Sequence, residues 1–557
     1  MLNAMMQQNI FPREWKTARL ALIPKTNKQK PTQKNYRPIC MINSLSKIFE
    51  YILNQRLIKA FTPARAQFGF RKGRNTTDAM QNIKDIYDHH VNNRATQRRL
   101  LLLLNIDIKN AFNSVNWEDV ITTMIKRQIP PYLIEIFKSY FTNRYLVFPD
   151  FKIKINSGAA QGGCLSPTIW IIIFDEILNL NTTPEIVKQA YADDTLLLIT
   201  GSDIPEIQRS TKVTTQTIKA ALKKKNLITE DSKTEALLIH GPKKARNVEI
   251  SVGESIINAE PSLISLGFTL TGGLKVTQHI KYVCAKARKI TTHYRPLLPN
   301  LNGPAFIQRK IMIHAMLSVI FYGVAFWGPY CKTKRDINEI RKTIRPMKLA
   351  LCSAYRTVSD VCLDIISGIP PPKILIKEKI EKYKKEDPLE IEQNKKIKWQ
   401  LDWELEKGNI WIKKLIPQIH IWLNRKHGTT NYYITQFLTS HGAFAQYLFR
   451  FKKRNSPHCP MCNTLAIDTA EHTFFHCESF KSSRIHLQNL LEVSLTPENI
   501  IEQMTSSKKK WHLIQEFITD ILKQKQRALN EEEDNTKTES SLEEKPDGDA
   551  GDNQTHQ

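Results

Sequence analysis

The sequence predicts an α+β fold over residues 1–272, followed by a mainly helical remainder that ends in a small cysteine–histidine module. Three observations carry this. Apolar runs of strand length adjoin carboxylates: Leu100 to Ile106 ends at Asp107, and between Gln189 and Ile199 two apolar strands flank Asp193-Asp194. Segments with helical spacing fill the chain between them, and helical spacing dominates after residue 273. Near the end, four potential metal ligands fall between residues 459 and 477.

The chain has 557 residues and a formal net charge of +27, enough length for about two to four domains with their own cores. From Glu531 onward acids predominate, so the body is more basic than the total indicates. Such a body favours a polyanionic partner, a nucleic acid or an anionic membrane surface. Insertion into a membrane is disfavoured: the most apolar run, Thr168 to Phe174, is too short to span and ends in Asp175-Glu176. Residues 1–16 lack the pattern of a signal peptide. Cys40, Cys164, Cys284, Cys331, Cys352 and Cys362 have no ligand spacing and read as reduced thiols of an intracellular protein. The triplets Lys223–Lys225 and Lys508–Lys510 read as solvated helix faces, with nuclear signals as the alternative.

Taken in order, residues 11–60 alternate basic and apolar positions. Pro24 and Pro38 are expected to break the chain beyond extended segments, leaving Lys25 and Arg37 facing a common space where they could grip a triphosphate. Surface cations of a basic protein would look the same. A helix from Ser44 to Phe61 is expected to bury Leu45, Ile48, Phe49, Ile52, Leu53 and Leu57. In Gln67 to Arg74, glycines, cations and aromatics interleave, which suits approach to a phosphate chain and stacking on bases.

The run Leu100 to Ile106 reads as a strand buried on both faces, with Asp107 at its end. A carboxylate there supplies a metal ligand or, alternatively, a helix cap. Phe112 follows closely enough for its ring to cover the sugar of an incoming nucleotide. Helices are expected from Trp117 to Lys126 and beyond Pro130-Pro131, then a polar extended stretch. Gly158 to Pro167 is a small-residue loop opening an apolar helix to Leu178, with Gln161 and Gly162 at its centre. Next, Tyr191-Ala192-Asp193-Asp194 places two carboxylates at the tip of a hairpin. An acidic turn is ordinary chemistry; two adjacent anions with a third, Asp107, also make a site for two Mg²⁺ ions and phosphoryl transfer.

The order of cations, Asp107-Xaa₄-Phe112, the Gln161-Gly162 loop and Tyr191–Asp194 resembles the reverse transcriptase of a non-LTR retrotransposon. That resemblance implies a right-hand polymerase with fingers, palm and thumb. It implies that Asp107, Asp193 and Asp194 hold two Mg²⁺ ions and that Phe112 refuses a ribose 2′-hydroxyl. By the same resemblance, Gln161 and Gly162 line the nucleotide and template, and Lys25 and Arg37 contact the triphosphate. Asn226 to Glu235 resembles the next palm motif, whose Lys233 could protonate the departing pyrophosphate. Ser265 to Phe268 resembles the strand that grips the primer. Partners implied are template RNA, target or primer DNA and deoxynucleoside triphosphates.

After residue 273 the basic helices suit a phosphate backbone, and Ala354–Ser359 with Ser367–Pro372 resembles the family's thumb end. Residues 372–398 are expected as a charged linker. Trp399, Trp403, Trp411 and Trp422 are expected in a core. His427 to Gly442 resembles arthropod elements that insert into ribosomal RNA genes. Cys459, Cys462, His472 and Cys477 form a Cys₃His set suited to one structural Zn²⁺, with His458 and His476 as spare imidazoles and the resemblance favouring His472. Arg450 and Lys452 to Arg454 supply charge for nucleic-acid binding; endonuclease activity sometimes ascribed to this region of the family finds no separate carboxylate cluster here.

The expected organisation is fingers and palm over 1–272, thumb over 273–385, a nucleic-acid-binding domain over 386–480, a helical segment over 481–530 and an acidic disordered tail over 531–557. The family's long form carries an upstream endonuclease, so the chain is expected to be part of a longer reading frame. The leading expectation is an RNA-directed DNA polymerase acting at nicked target DNA in the nucleus, with assembly on RNA in the cytoplasm. The alternative is a catalytically inactive nucleic-acid-binding remnant. An RNA-copying RNA polymerase is disfavoured by Phe112.

Overall fold

The computed structural model describes residues 1–24, 36–183, 185–242, 248–462 and 464–543. Twelve strands are described: β1 (Thr17–Pro24), β2 (Tyr36–Met41), β3 (Leu100–Ile106), β4 (Arg144–Val147), β5 (Lys152–Ile155), β6 (Ile186–Tyr191), β7 (Asp194–Gly201), β8 (Glu235–His240), β9 (Glu249–Val252), β10 (Ser255–Asn258), β11 (Ser262–Ser265) and β12 (Phe268–Thr271). The chain divides into two compact units, Met1–His279 and Ile280–Gln557.

In the first unit, β6, β7, β3 and β8 form one antiparallel sheet in that order. β3 lies between two neighbours and is buried on both faces, which explains its unbroken leucines. The helix Ser166–Leu178 is apolar nearly all round because it is almost wholly buried, with Pro167 in its first turn. The helix Thr76–Asn92 opens on a capping box between Asn75 and Asp78. A second sheet runs β2-β1-β4-β5, with β1 and β4 parallel. β9 pairs with β10 and β11 with β12 as separate hairpins; Leu266 and Gly267, both at positive φ, turn the second.

Two local expectations change. Pro38 does not break the chain: it sits inside β2 opposite Leu22, and β2 is an edge strand where a missing N–H is tolerated. The helix Ser44–Ala60 buries Phe49, Glu50, Leu53 and Leu57, whereas Leu45 and Ile48 are exposed. The apolar stripe is wider than the face the core covers.

Among its described residues the second unit is built of helices, apart from loops such as residues 451–469, which carry the bridge between His458 and Ile467. One core joins Cys352, Val358, Ile374, Trp399, Trp403, Trp422, Phe474, Trp511 and Leu529, so the expected boundaries at 385/386 and 480/481 fall within shared packing. The expected linker is instead the helix Pro372–Tyr383 followed by the helix Pro388–Glu404. Its charges were misleading because they are paired: Lys382–Glu378 and Lys395–Glu392 within each helix at i,i+4 and i,i+3, and Lys395 with Glu378 between the two helices, where both are largely covered. Trp411 is part-buried at the rim of this core. Among the described residues, the ion pairs Lys348–Asp364 and Lys525–Asp468 are buried, the second of them fully. The last helix, Lys508–Glu543, continues past Glu531 into the stretch expected to be disordered; once anchored by packed turns, a helix propagates at little cost through Glu- and Leu-containing sequence. Residues 544–557 lie outside the described residues. No single helix among the described residues is long and apolar enough to cross a membrane.

Candidate active site and metal centre

The carboxylates meet because of strand register. Tyr191 pairs with Asp194, so Ala192 and Asp193 alone form the turn between β6 and β7. Ala192 adopts φ +61°, a left-handed conformation that costs a non-glycine residue roughly 1–2 kcal/mol. On the other side of β7, Ile106 of β3 faces Thr195, so Asp107 emerges one residue later, level with Asp194. Beyond β3, Asn105 faces Glu235 of β8. That places Lys233, in the turn Asp231–Lys233, beside Asp107: its Nζ donates to Asp107 Oδ2 at 2.9 Å. The backbone N–H of Glu230 donates to the Asp107 carbonyl at 2.9 Å.

Burial pushes the Asp194 carboxyl up to about 6, with the charges of Asp193 and Asp107 adding to it. Burial also raises Asp193, and Asp107 adds repulsion. Lys233 is raised by its hydrogen bond to Asp107. Three carboxylates thus share a space too small for their charges to be independent.

These groups open on a cleft of about 1390 Å³ lined by Arg37, Asp107, Phe112, Gln161, Gly162, Asp193 and Lys233, together with Tyr36, Phe70 and Glu230. Asp194 joins the group from the first position of β7. Lys25 lies outside the described residues. Phe112 stands on the short turn Ala111–Ser114, entered through Asn110 at φ +50°. Its ring packs edge-on against Phe70 at 6.0 Å and against Trp170 at 5.7 Å.

The Gly158–Gly163 loop is shaped by protein neighbours. Gly158 and Ala159 donate to the carbonyls of Val115 and Phe112 at 2.7 Å each, so the loop braces the Phe112 turn. Gln161 accepts from the Cys40 N–H of β2 at 2.7 Å. Gly162 is at φ +115°, and a Cβ there would stand 2.7 Å from the Cys40 carbonyl oxygen. The glycine lets the loop lie against β2, a contact the sequence does not announce. Glu50, unforeseen, is fully buried and accepts from Cys164 N–H at 2.7 Å; burial raises its carboxyl despite the nearby Arg144 charge. Its only sequence signal is an acid within the buried face of a helix.

Residues 67–74 also differ from expectation. Arg71 and Arg74 donate to the Gln67 carbonyl at 3.2 and 3.0 Å, and the Arg74 guanidinium lies 4.7 Å from the Phe68 ring centre. These cations are engaged within the protein.

In the second unit, Cys459, Cys462, His472 and Cys477 bring their ligand atoms within 4.8 Å of one another. Cys459 Sγ and Cys477 Sγ are 3.9 Å apart, and Cys462 Sγ and His472 Nε2 are 3.4 Å apart. Tetrahedral Zn–S and Zn–N bonds imply edges of about 3.8 and 3.6 Å, so the donor set fits that ion. His472 is the imidazole that joins the thiols; His458 Nδ1 contacts the Leu465 carbonyl oxygen at 2.7 Å instead.

Residues 23–282 match the family described as reverse transcriptase (RNA-dependent DNA polymerase). The chain is similar to the putative 115 kDa protein in type-1 retrotransposable element R1DM of Drosophila melanogaster, 25% identical over 69% of this chain and 37% of that one. It is 26% identical to the probable RNA-directed DNA polymerase from transposon BS of the same species, over 63% of this chain and 40% of that one. It is 20% identical to the retrovirus-related Pol polyprotein from type-1 retrotransposable element R1 of Bradysia coprophila, over 86% of this chain and 50% of that one. The chain thus spans half or less of the length of these relatives. Residues 23–282 are thus similar to reverse transcriptases, and the relatives named are proteins of transposable elements.

Proposed function

We propose that this chain is an RNA-directed DNA polymerase that extends a DNA 3′-hydroxyl along an RNA template. The observation that carries the reading is the convergence of Asp107, Asp193 and Asp194 at adjoining strand ends beside a cleft that also holds the Phe112 ring. The relatives' names, which include RNA-directed DNA polymerase, support it. On this reading the first unit supplies fingers and palm, and the second begins with the thumb. The primer 3′-hydroxyl comes from nicked target DNA, which places the step in the nucleus after cytoplasmic assembly on RNA.

The three acids fit divalent cations: an all-oxygen donor set, crowded enough that burial and repulsion raise two of its members, suits Mg²⁺. Two Mg²⁺ ions bound there would activate the 3′-hydroxyl and stabilise the leaving pyrophosphate. Asp107, Asp193 and Asp194 would hold the ions. Arg37 binds the triphosphate from the cleft wall, and Gln161 and Gly162 line the nucleotide. Phe112, wedged between Phe70 and Trp170, keeps its ring where a 2′-hydroxyl would fall. Lys233, ion-paired with Asp107 in the free protein, is the proton donor to pyrophosphate. The β11–β12 hairpin holds the primer. In the second unit, the Cys459, Cys462, His472 and Cys477 cluster holds a structural Zn²⁺. Exposed Arg450, Lys452 and Lys453 beside Phe449 and Phe451 form a nucleic-acid-binding surface.

The test is primer extension on poly(rA)/oligo(dT) with Mg²⁺ and dTTP, beside Asp193→Asn and a parallel UTP lane. Expected are DNA synthesis by the wild type, none by the variant, and little incorporation of UTP. Synthesis retained in Asp193→Asn refutes the site. No synthesis by a wild type that still binds RNA makes the chain a binding remnant.

A further inference from the structure

The Ala192–Asp193 turn carries one of the three carboxylates and adjoins a second, so whatever holds it sets the metal site. Hairpin tips ordinarily leave their peptide groups to water. Here Ala192 is buried, and a single side chain from elsewhere in the chain meets both of its backbone polar groups. Gln67, itself fully buried, accepts from the Ala192 N–H at 3.0 Å and donates through Nε2 to the Ala192 carbonyl oxygen at 3.3 Å. The same Oε1 accepts from the Gly69 N–H at 2.9 Å, which fixes the amide's orientation.

Gln67 is itself pinned. Phe68 N–H donates to the Ala190 carbonyl at 2.8 Å, and Ala190 N–H donates to the Ala66 carbonyl at 2.9 Å, so residues 66–68 run alongside β6. Arg71 and Arg74 both donate to the Gln67 carbonyl. Trp170 Nε1 adds a second donor to the Ala192 carbonyl at 3.0 Å. Ala192 is the turn residue in the left-handed region, and strain of that kind persists only where surrounding bonds over-determine it. The two bonds from the buried Gln67 amide to Ala192 act directly against that strain.

We propose that Gln67 is a positioning residue for the metal-binding carboxylates: its amide holds Ala192 in the strained turn that presents Asp193 and Asp194 toward Asp107. This rests on the polymerase reading of the site. Without the amide, the turn relaxes and its carboxylates move by a fraction of their spacing. A misplacement of about 1 Å costs on the order of 10²-fold in rate.

The experiment uses the full chain, with Gln67→Met, which keeps bulk and removes both bonds to Ala192. Gln67→Asn, whose amide stops about 1.5 Å short, serves if the first does not fold. Gln189→Met is the structural control: Gln189 is a buried amide on β6 that bonds Asn82 and the Ala79 carbonyl, away from the turn. Four quantities are read: Mn²⁺ affinity by paramagnetic resonance of the free ion, the Mg²⁺ midpoint and kcat of primer extension, and Kd for the primer–template. The Gln67 variants are expected to weaken Mn²⁺ binding and raise the Mg²⁺ midpoint about tenfold, and to lower kcat by about 30- to 100-fold. Primer–template Kd stays within about twofold, and Gln189→Met loses thermal stability alone. Gln67 variants that lose stability but keep Mn²⁺ affinity and kcat within about threefold overturn the proposal. A wild type that binds Mn²⁺ without extending primers, with binding lost in the variants, upholds the positioning role and overturns the polymerase reading. A wild type that neither binds Mn²⁺ nor extends primers overturns both.

Discussion

Gly69→Ala tests the turn from the opposite side, by pressure instead of by lost hydrogen bonds. A Cβ on Gly69 would stand 2.2 Å from the Ala192 nitrogen and 2.9 Å from the Ala192 Cα and the Tyr191 carbonyl carbon. Ordinary contact begins at 3.4 Å, so the two backbones must separate by about 1 Å. Neither is free to yield: Gly69 is held through Gln67, and the turn closes a central hairpin. The separation therefore displaces the residue preceding Asp193. A 1 Å error in catalytic geometry costs on the order of 10²-fold, or about 2.7 kcal/mol in the barrier. Forcing a methyl into packed backbone costs a further 1–3 kcal/mol, roughly, in stability. Single-turnover dTTP incorporation on poly(rA)/oligo(dT), well below the melting temperature, separates the two effects. Gly73→Ala is the companion: a Cβ there meets nothing within 4 Å, but φ is +78°, so it should lose about 1 kcal/mol of stability and little rate. Gly69→Ala turning over within threefold of wild type would refute the argument that backbone contact at Gly69 sets the turn.

Asp194→Asn should stabilise the metal-free protein near neutral pH. The folded-state pKa is raised from 3.8 to about 6, so the folded chain binds more protons than the unfolded one between those values, and stability falls as pH rises through that window. Discounted for partial exposure, the gain is about 1 kcal/mol at pH 7, a rise of roughly 2–4 °C in EDTA that disappears at pH 4; a lower melting temperature at pH 7 contradicts the electrostatics. Lys525→Met leaves Asp468 charged and fully buried, where Lys525 also donates to Thr473 at 2.8 Å. It should cost about 3–5 kcal/mol in the unfolding of the second unit, and Asp468→Asn in the same chain should recover most of it; calorimetry showing an unchanged transition refutes this. The cysteine–histidine cluster should hold about one Zn²⁺ per chain. Chelation should expose residues 455–480 to hydrogen exchange and weaken RNA or DNA binding, and metal analysis without zinc removes the assignment.

Much of the site was legible because its signals are local. Asp193 and Asp194 sit at a hairpin whose two strands are contiguous in sequence, and Asp107 ends a run of leucines that could only be a central strand. The Cys₃His spacing likewise brought out a cluster that the structure assembles with His472. The residues that brace the site were not legible. Glu50 supports the Cys164–Leu165 backbone from a helix more than a hundred positions away, and Gln67 grips Ala192 across 125 positions. A glutamine or glutamate in a helix or loop carries no sign of a distant partner. Charge misled where it was neutralised by partners: the expected linker is two packed helices whose lysines and glutamates pair along each helix and, at Lys395–Glu378, between them. The arginines of residues 71–74 satisfy backbone carbonyls of their own segment.

By itself the sequence determined which residues could carry chemistry, because strand period, turn composition and ligand spacing depend only on neighbours along the chain. The tertiary structure alone decided what those residues face. Strand register brought Asp107 level with Asp194, β2 took up the close approach of Gly162, and a buried amide took hold of the strained turn. Those outcomes depend on contacts between segments far apart in sequence. Such contacts are chosen by the packing of the whole unit, and no local pattern encodes them.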